Sequence, residues 1–184
     1  MLNKLNTSDK KIITLDANSK IEIKSQTNIN NMGEETILTY KNHIYTIHEA
    51  NGKNVNKAPF SSKITTDLKT IKKIPFPNTE YRITDATTVD STGKFFVINY
   101  FYPGEFDDLK PNLTNKEKKF AVEQILELKI LNGKIIKTKN SPIVLSKGES
   151  KKGRNWEGIV KFDDGFLLIT DMFPKTILAY YKLN

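Results

Sequence analysis

The sequence predicts an all-β protein built from repeated four-stranded antiparallel units. Three observations carry that prediction. One pattern recurs three times along the 184-residue chain, turn signals split each copy into two strands, and a more polar pair of strands follows each copy.

The recurring segments are Glu35 to Glu49 (ETILTYKNHIYTIHE), Asp85 to Tyr100 (DATTVDSTGKFFVINY) and Glu157 to Asp171 (EGIVKFDDGFLLITD). Each opens with an acid, runs through a short strand, turns on polar residues and returns as an apolar strand ending in Ile and polar groups. Ile47, Ile98 and Ile169 share one register. Ser91-Thr92-Gly93 and Asp163-Asp164-Gly165 are hairpin signals, and Lys41-Asn42 is a weaker one. The apolar runs Phe95 to Ile98 and Phe166 to Ile169 predict strands buried on both faces.

Outer strands are expected at Ser62 to Thr66 and Thr70 to Phe76, then at Gln124 to Ile130 and Lys134 to Lys139, and finally at Thr176 to Leu183. Asn132-Gly133 supplies one connecting turn. Upstream, Lys11 to Asp16 and Lys20 to Lys24 read as another outer pair. Two inner apolar and two outer amphipathic strands per unit describe the blades of a β-propeller. The chain is then a single propeller-like domain, residues 1–184, of about three blades. Residues 1–30 form the outer pair of a preceding blade, 31–80 and 81–150 are blades, and 151–184 form a partial blade. The second blade carries an insertion, Phe101 to Lys119. Within it, Thr114 to Glu117 has the spacing of a capping box and opens a short helical turn ahead of a strand in which Leu126, Leu128 and Ile130 alternate with Glu127 and Lys129.

Composition excludes several chemistries. There is no cysteine, so disulfides, thiolate metal sites and Cys nucleophiles play no part. With His43 and His48 as the two histidines, no HExxH zinc site exists. Neither a GxSxG elbow nor a Gly-rich phosphate loop occurs. The net charge of +8 is spread diffusely over 29 Lys and Arg residues, so no nucleic-acid surface is expected. Neither a signal peptide nor a membrane span is predicted, since Met1 to Lys11 lacks an apolar run. The compartment stays open: cytoplasmic by default, extracytoplasmic if the chain belongs to a longer exported protein.

The stretches Arg82 to Glu105 (RITDATTVDSTGKFFVINYFYPGE) and Arg154 to Leu183 (RNWEGIVKFDDGFLLITDMFPKTILAYYKL) resemble the last blades of phytase-like and esterase-like bacterial propellers. More distantly they resemble six-bladed calcium-dependent lactonases and gluconolactonases. A closed ring of that kind needs about twice the strands seen here. Three arrangements follow: a missing N-terminal half, a homodimer that completes the ring, or an open array with exposed edges.

The resemblance implies that the start of the first strand and the end of the second open on one mouth of each blade. Glu35, Asp85 and Glu157 hold the first position. His48 with Glu49, Asn99, and Thr170 with Asp171 hold the second. Glu35, Asp85, Asn99, Glu157 and Asp171 offer hard oxygen donors of the kind that hold calcium or magnesium rather than zinc, calcium being the cofactor the resemblance implies. Arg82 and Arg154 each stand three residues before a leading acid, and Tyr102-Pro103 and Phe173-Pro174 follow the second strands. In the enzyme reading the metal polarises an ester, lactone or phosphoester of a small-molecule substrate, His48 handles the proton, and Arg82 and Arg154 hold the anionic part. In the structural reading the acids accept backbone N–H groups, the arginines pair with acids, and Trp156 packs between blades. The chain is then a ligand-binding or protein-interaction module, or an inactive fragment of a longer propeller.

Overall fold

A computed structural model describes residues 19–147, 151, 153–171 and 175–183. These form an all-β protein of three antiparallel sheets. The first sheet runs β1 (Glu34–Tyr40), β2 (His43–His48), β3 (Phe60–Thr65) and β4 (Ile71–Pro75), neighbours in space as in sequence. In the second, β5 (Arg82–Ala86), β6 (Lys94–Phe101), β7 (Val122–Leu131) and β8 (Lys134–Lys137) follow the same order. A fifth strand, β9 (Ile143–Lys147), pairs with the first half of β7 while β8 pairs with the second half. The ten residues of β7 are long enough to serve both. The third sheet is β10 (Trp156–Phe162), β11 (Gly165–Thr170) and β12 (Leu178–Lys182).

The turns form for local reasons. Lys41 and Asn42 both adopt left-handed φ, 45° and 57°, as do Asn132 and Gly133, so both hairpins close with the two-residue turn whose twist matches the strands. Gly93 (φ 87°) ends the Asp90 turn, where the Asp90 carboxylate accepts the N–H groups of Thr92 and Lys94. A Cβ at Gly93 would sit 2.7 Å from the Ile130 carbonyl. The Thr114 to Glu117 capping box forms as expected: the Glu117 N–H donates to Thr114 Oγ1 at 3.2 Å, and Glu117 accepts the Thr114 N–H at 3.0 Å. It opens one tight turn, Glu117–Lys119, before β7 begins. The insertion also holds the short helix α1 (Phe106–Leu109).

The sheets stack in series. Leu38, Tyr45, Ile47, Ile74 and Phe76 of the first pack on Ile83, Phe95, Val97, Leu126 and Leu128 of the second. On the other face of the second sheet, Ile98, Tyr100 and Ile125 meet Trp156, Ile159, Phe166 and Leu168 of the third. A smaller cluster of Ala50, Phe101, Leu109 and Val122 anchors the insertion. The first strands lie side by side, β1 beside β5 and β5 beside β10.

Two strand predictions need correction. Lys20 to Lys24 is irregular, with Ile21 and Ile23 half-buried but no strand pairing, and Lys11 to Asp16 lies outside the described residues. The run Phe166 to Ile169 is buried on one face alone. Phe166 and Leu168 point into the stack, whereas Ile169 on the opposite face is 43% exposed. The matching run Phe95 to Ile98 does fill both faces, because it belongs to the middle sheet.

Candidate functional site

In each sheet the pairing of the first two strands slips at its opening end. The slips fall between Glu34 and Thr36, between Ile83 and Ala86, and between Trp156 and Gly158. Glu35, Asp85 and Glu157 therefore all sit in β-bulges, which re-aim a side chain away from the regular pleat.

Arg82 gathers the acids of this end. Its Nε donates to Glu49 Oε2 at 2.7 Å, its Nη1 donates to Glu105 Oε1, and its Nη2 lies 4.0 Å from Glu157 Oε1. Glu49 is fully buried, and its other oxygen accepts the Gly33 N–H at 3.0 Å. Burial pushes the Glu49 carboxyl above the usual carboxylate range, against the opposing pull of Arg82. Burial likewise raises Glu157, with Arg82 pulling it down and Glu35, Asp171 and Glu49 adding to the rise. For Arg82 itself burial works against the charge, but Glu105 and Glu49, with Glu157, more than offset it and leave its pKa raised. Three carboxylates, those of Glu49, Glu105 and Glu157, thus act on one guanidinium, and Glu35 and Asp171 lie close enough to Glu157 to raise its pKa.

The remaining candidates are elsewhere, each with its own partner. Asp85 Oδ2 accepts the backbone N–H of Ile159 at 2.8 Å, and burial raises its pKa. Beside it, Thr84 Oγ1 donates to the Trp156 carbonyl at 2.7 Å. Asn99 Nδ2 donates to the carbonyls of Tyr81 and Arg82, and its Oδ1 accepts from Gln124. His48 is fully buried, its Nδ1 accepting the Ala50 N–H at 3.2 Å and its Nε2 lying 3.3 Å from Thr27 Oγ1. That bonding requires a neutral ring, and burial lowers its pKa accordingly. Arg154 binds Glu123 through Nε at 2.8 Å and through Nη2, and its guanidinium lies 5.3 Å from the Trp156 ring centre.

Of the residues singled out from sequence, Glu35, Glu157, Asp171 and Arg82 come together. Asp85, Asn99, His48 and Arg154 do not join them. Glu105 comes from the Phe101 to Lys119 insertion, and Glu123 comes from β7. VEQILEL carries two acids on one strand face, Glu123 and Glu127, and the burial of Glu123 is decided by its distant partner Arg154. Among the described residues no three His, Asp or Glu side chains converge in a way that would hold a metal ion. Arg82 supplies the positive charge beside Glu49, Glu105 and Glu157. Among the same residues no helix is long and apolar enough to cross a bilayer. In comparisons with known proteins, no family model and no curated protein matches this chain.

Proposed function

We propose that the three sheets are about three blades of a propeller-like array and that the chain acts as a non-catalytic protein-interaction module. One observation carries the reading. Ile47 and Ile98 are fully buried against the next sheet, whereas Ile169, at the matching position of the third unit, faces solvent. A repeated structure that leaves one packing face open has a place for a partner.

The polar groups support the same reading. His48 has both ring nitrogens engaged and no access to solvent, Asp85 and Asn99 are bonded to backbone groups, and Arg82 and Arg154 are held by internal acids. A general base or an anion clamp needs a free valence towards a substrate. The metal-dependent hydrolase reading rests on Glu35 and Asp171 lying close enough to Glu157 to raise its pKa.

The experiment is a thermal melt with calcium and with chelator, run beside hydrolysis assays on ester, lactone and phosphoester substrates. The module reading expects the same melting temperature in both conditions and no turnover. A calcium-dependent rise in melting temperature, together with hydrolysis that Glu157→Gln abolishes, would replace it with the metallohydrolase.

A further inference from the structure

The geometry points to a second copy of this chain as the occupant of the third sheet's outer face, docked face to face about a two-fold axis. The inference rests on the interaction-module reading and names its partner. By register, Val160, Phe162, Leu167, Ile169, Leu178 and Tyr180 share that face. All but the half-buried Leu167 are exposed, and the Phe162 and Tyr180 rings meet edge to face, 6.4 Å apart. An apolar patch on three adjacent strands is a surface that folding alone leaves unburied.

Three features select the occupant. The first is that successive sheets of this protein already pack in this manner, the Ile47 face on the second sheet and the Ile98 face on the third. What fits the Ile169 face is therefore another apolar sheet face. The second is charge. Among the described residues the strand positions of this face carry no acid; Asp164, in the turn at its rim, pairs with Lys182 at 3.0 Å and accepts from the Tyr180 hydroxyl. Two such faces meet without opposing like charges, even though the chain carries a net +8. The third is availability. The second sheet is covered on both sides, and the central strands of the first sheet's far face are already covered, with Ile44, Thr46, Ser62 and Ile64 all buried. A head-to-tail ring of two copies would need that far face. What a second copy can offer is its own third sheet, which makes the contact isologous, the commonest symmetry of homodimers.

The size of the face sets the strength. Three strands about 4.8 Å apart and about six residues long make a footprint of roughly 15 by 20 Å. At about 300 Å² per copy this is well below the roughly 800 Å² per partner of a standard interface, so the dimer should be weak and its population concentration-dependent.

Sedimentation velocity of the full chain, from low micromolar to near-millimolar concentration, tests the proposal. The expected result is a mass rising towards twice that of the chain. Phe162→Lys and Leu178→Lys, both at exposed positions, should each hold the mass at one chain while leaving the circular dichroism spectrum unchanged. Wild-type chain that stays at single mass throughout the range overturns the proposal, as does a doubled mass that both lysine variants retain. These outcomes are separable from failure of the module reading, which is decided by calcium response and turnover whatever the mass.

Discussion

The carboxylate of Asp85 accepts the backbone N–H of Ile159 at 2.8 Å, so that an acid in the bulge of one sheet holds the first strand of the next. Leading acids of this kind were expected to face an open mouth; this one is a clamp between sheets. Asp85→Ala should cost about 1–3 kcal/mol by leaving a buried N–H without its acceptor. Asp85→Asn keeps an acceptor oxygen and sheds the burial penalty on the charge, so it should cost less. Urea unfolding of the two variants measures the difference, and equal losses would show that the bond is not what matters there.

Arg82 is paired with Glu49 and Glu105, and Glu49 is fully buried. Removing one member of a buried pair typically costs about 3–5 kcal/mol. Arg82→Ala should fall in that range near neutral pH and recover part of the loss in mild acid. The sign follows from Glu49, whose folded pKa is raised by burial. Its contribution is fully present below its ordinary value of 4.5 and is lost as pH rises through the folded pKa. Stability of variant and wild type measured at both ends of that window checks the trend.

His48 titrates in the opposite sense. Burial lowers its pKa from 6.5, so the neutral ring favours folding and that contribution is lost as pH falls below 6.5 through the folded pKa. The stability of wild type minus that of His48→Gln should therefore decline as the solution is acidified. A difference that stays flat across the range would mean that the ring is not held neutral by its burial.

Ile98 and Ile169 make a matched pair for mutation. Truncating the fully buried Ile98 to Ala should cost about 2–5 kcal/mol, through lost burial and the cavity left behind. The same change at Ile169, on the open face, should cost well under half as much in a dilute sample. Chemical denaturation at low protein concentration makes the comparison without any contribution from association.

Strand identity was legible wherever local chemistry decided it. The Lys41-Asn42, Gly93 and Asn132-Gly133 turns need backbone conformations that few residues tolerate, and each formed where the residues required it. The capping box likewise resolved into a tight turn followed by a strand. What could not be read was which face of a strand is covered. Phe95 to Ile98 and Phe166 to Ile169 are equally apolar, yet only the former lies between two sheets. Burial of that kind depends on how many neighbours a sheet has, and no window of residues encodes it.

The site was legible in part for a related reason. A strand that places Glu35 or Glu157 at a bulge is recognisable from the leading acid, but the partner of that acid comes from a distant segment. Glu49 is 33 residues from Arg82, and Glu123 is 31 residues from Arg154. Arg82 and Arg154 look alike in sequence, each three residues ahead of an acid. One became the hub of three carboxylates, while the other clasps a single buried glutamate beside an indole.

Because each sheet rests on its neighbours in sequence order, the three are not under equal constraint. The middle sheet must fit two surfaces at once, so a change on either of its faces has to be matched by a different neighbour. The third sheet answers to one. Its outer face is free to vary without disturbing the stack, and a further sheet could be accreted there by altering only the residues that would meet it.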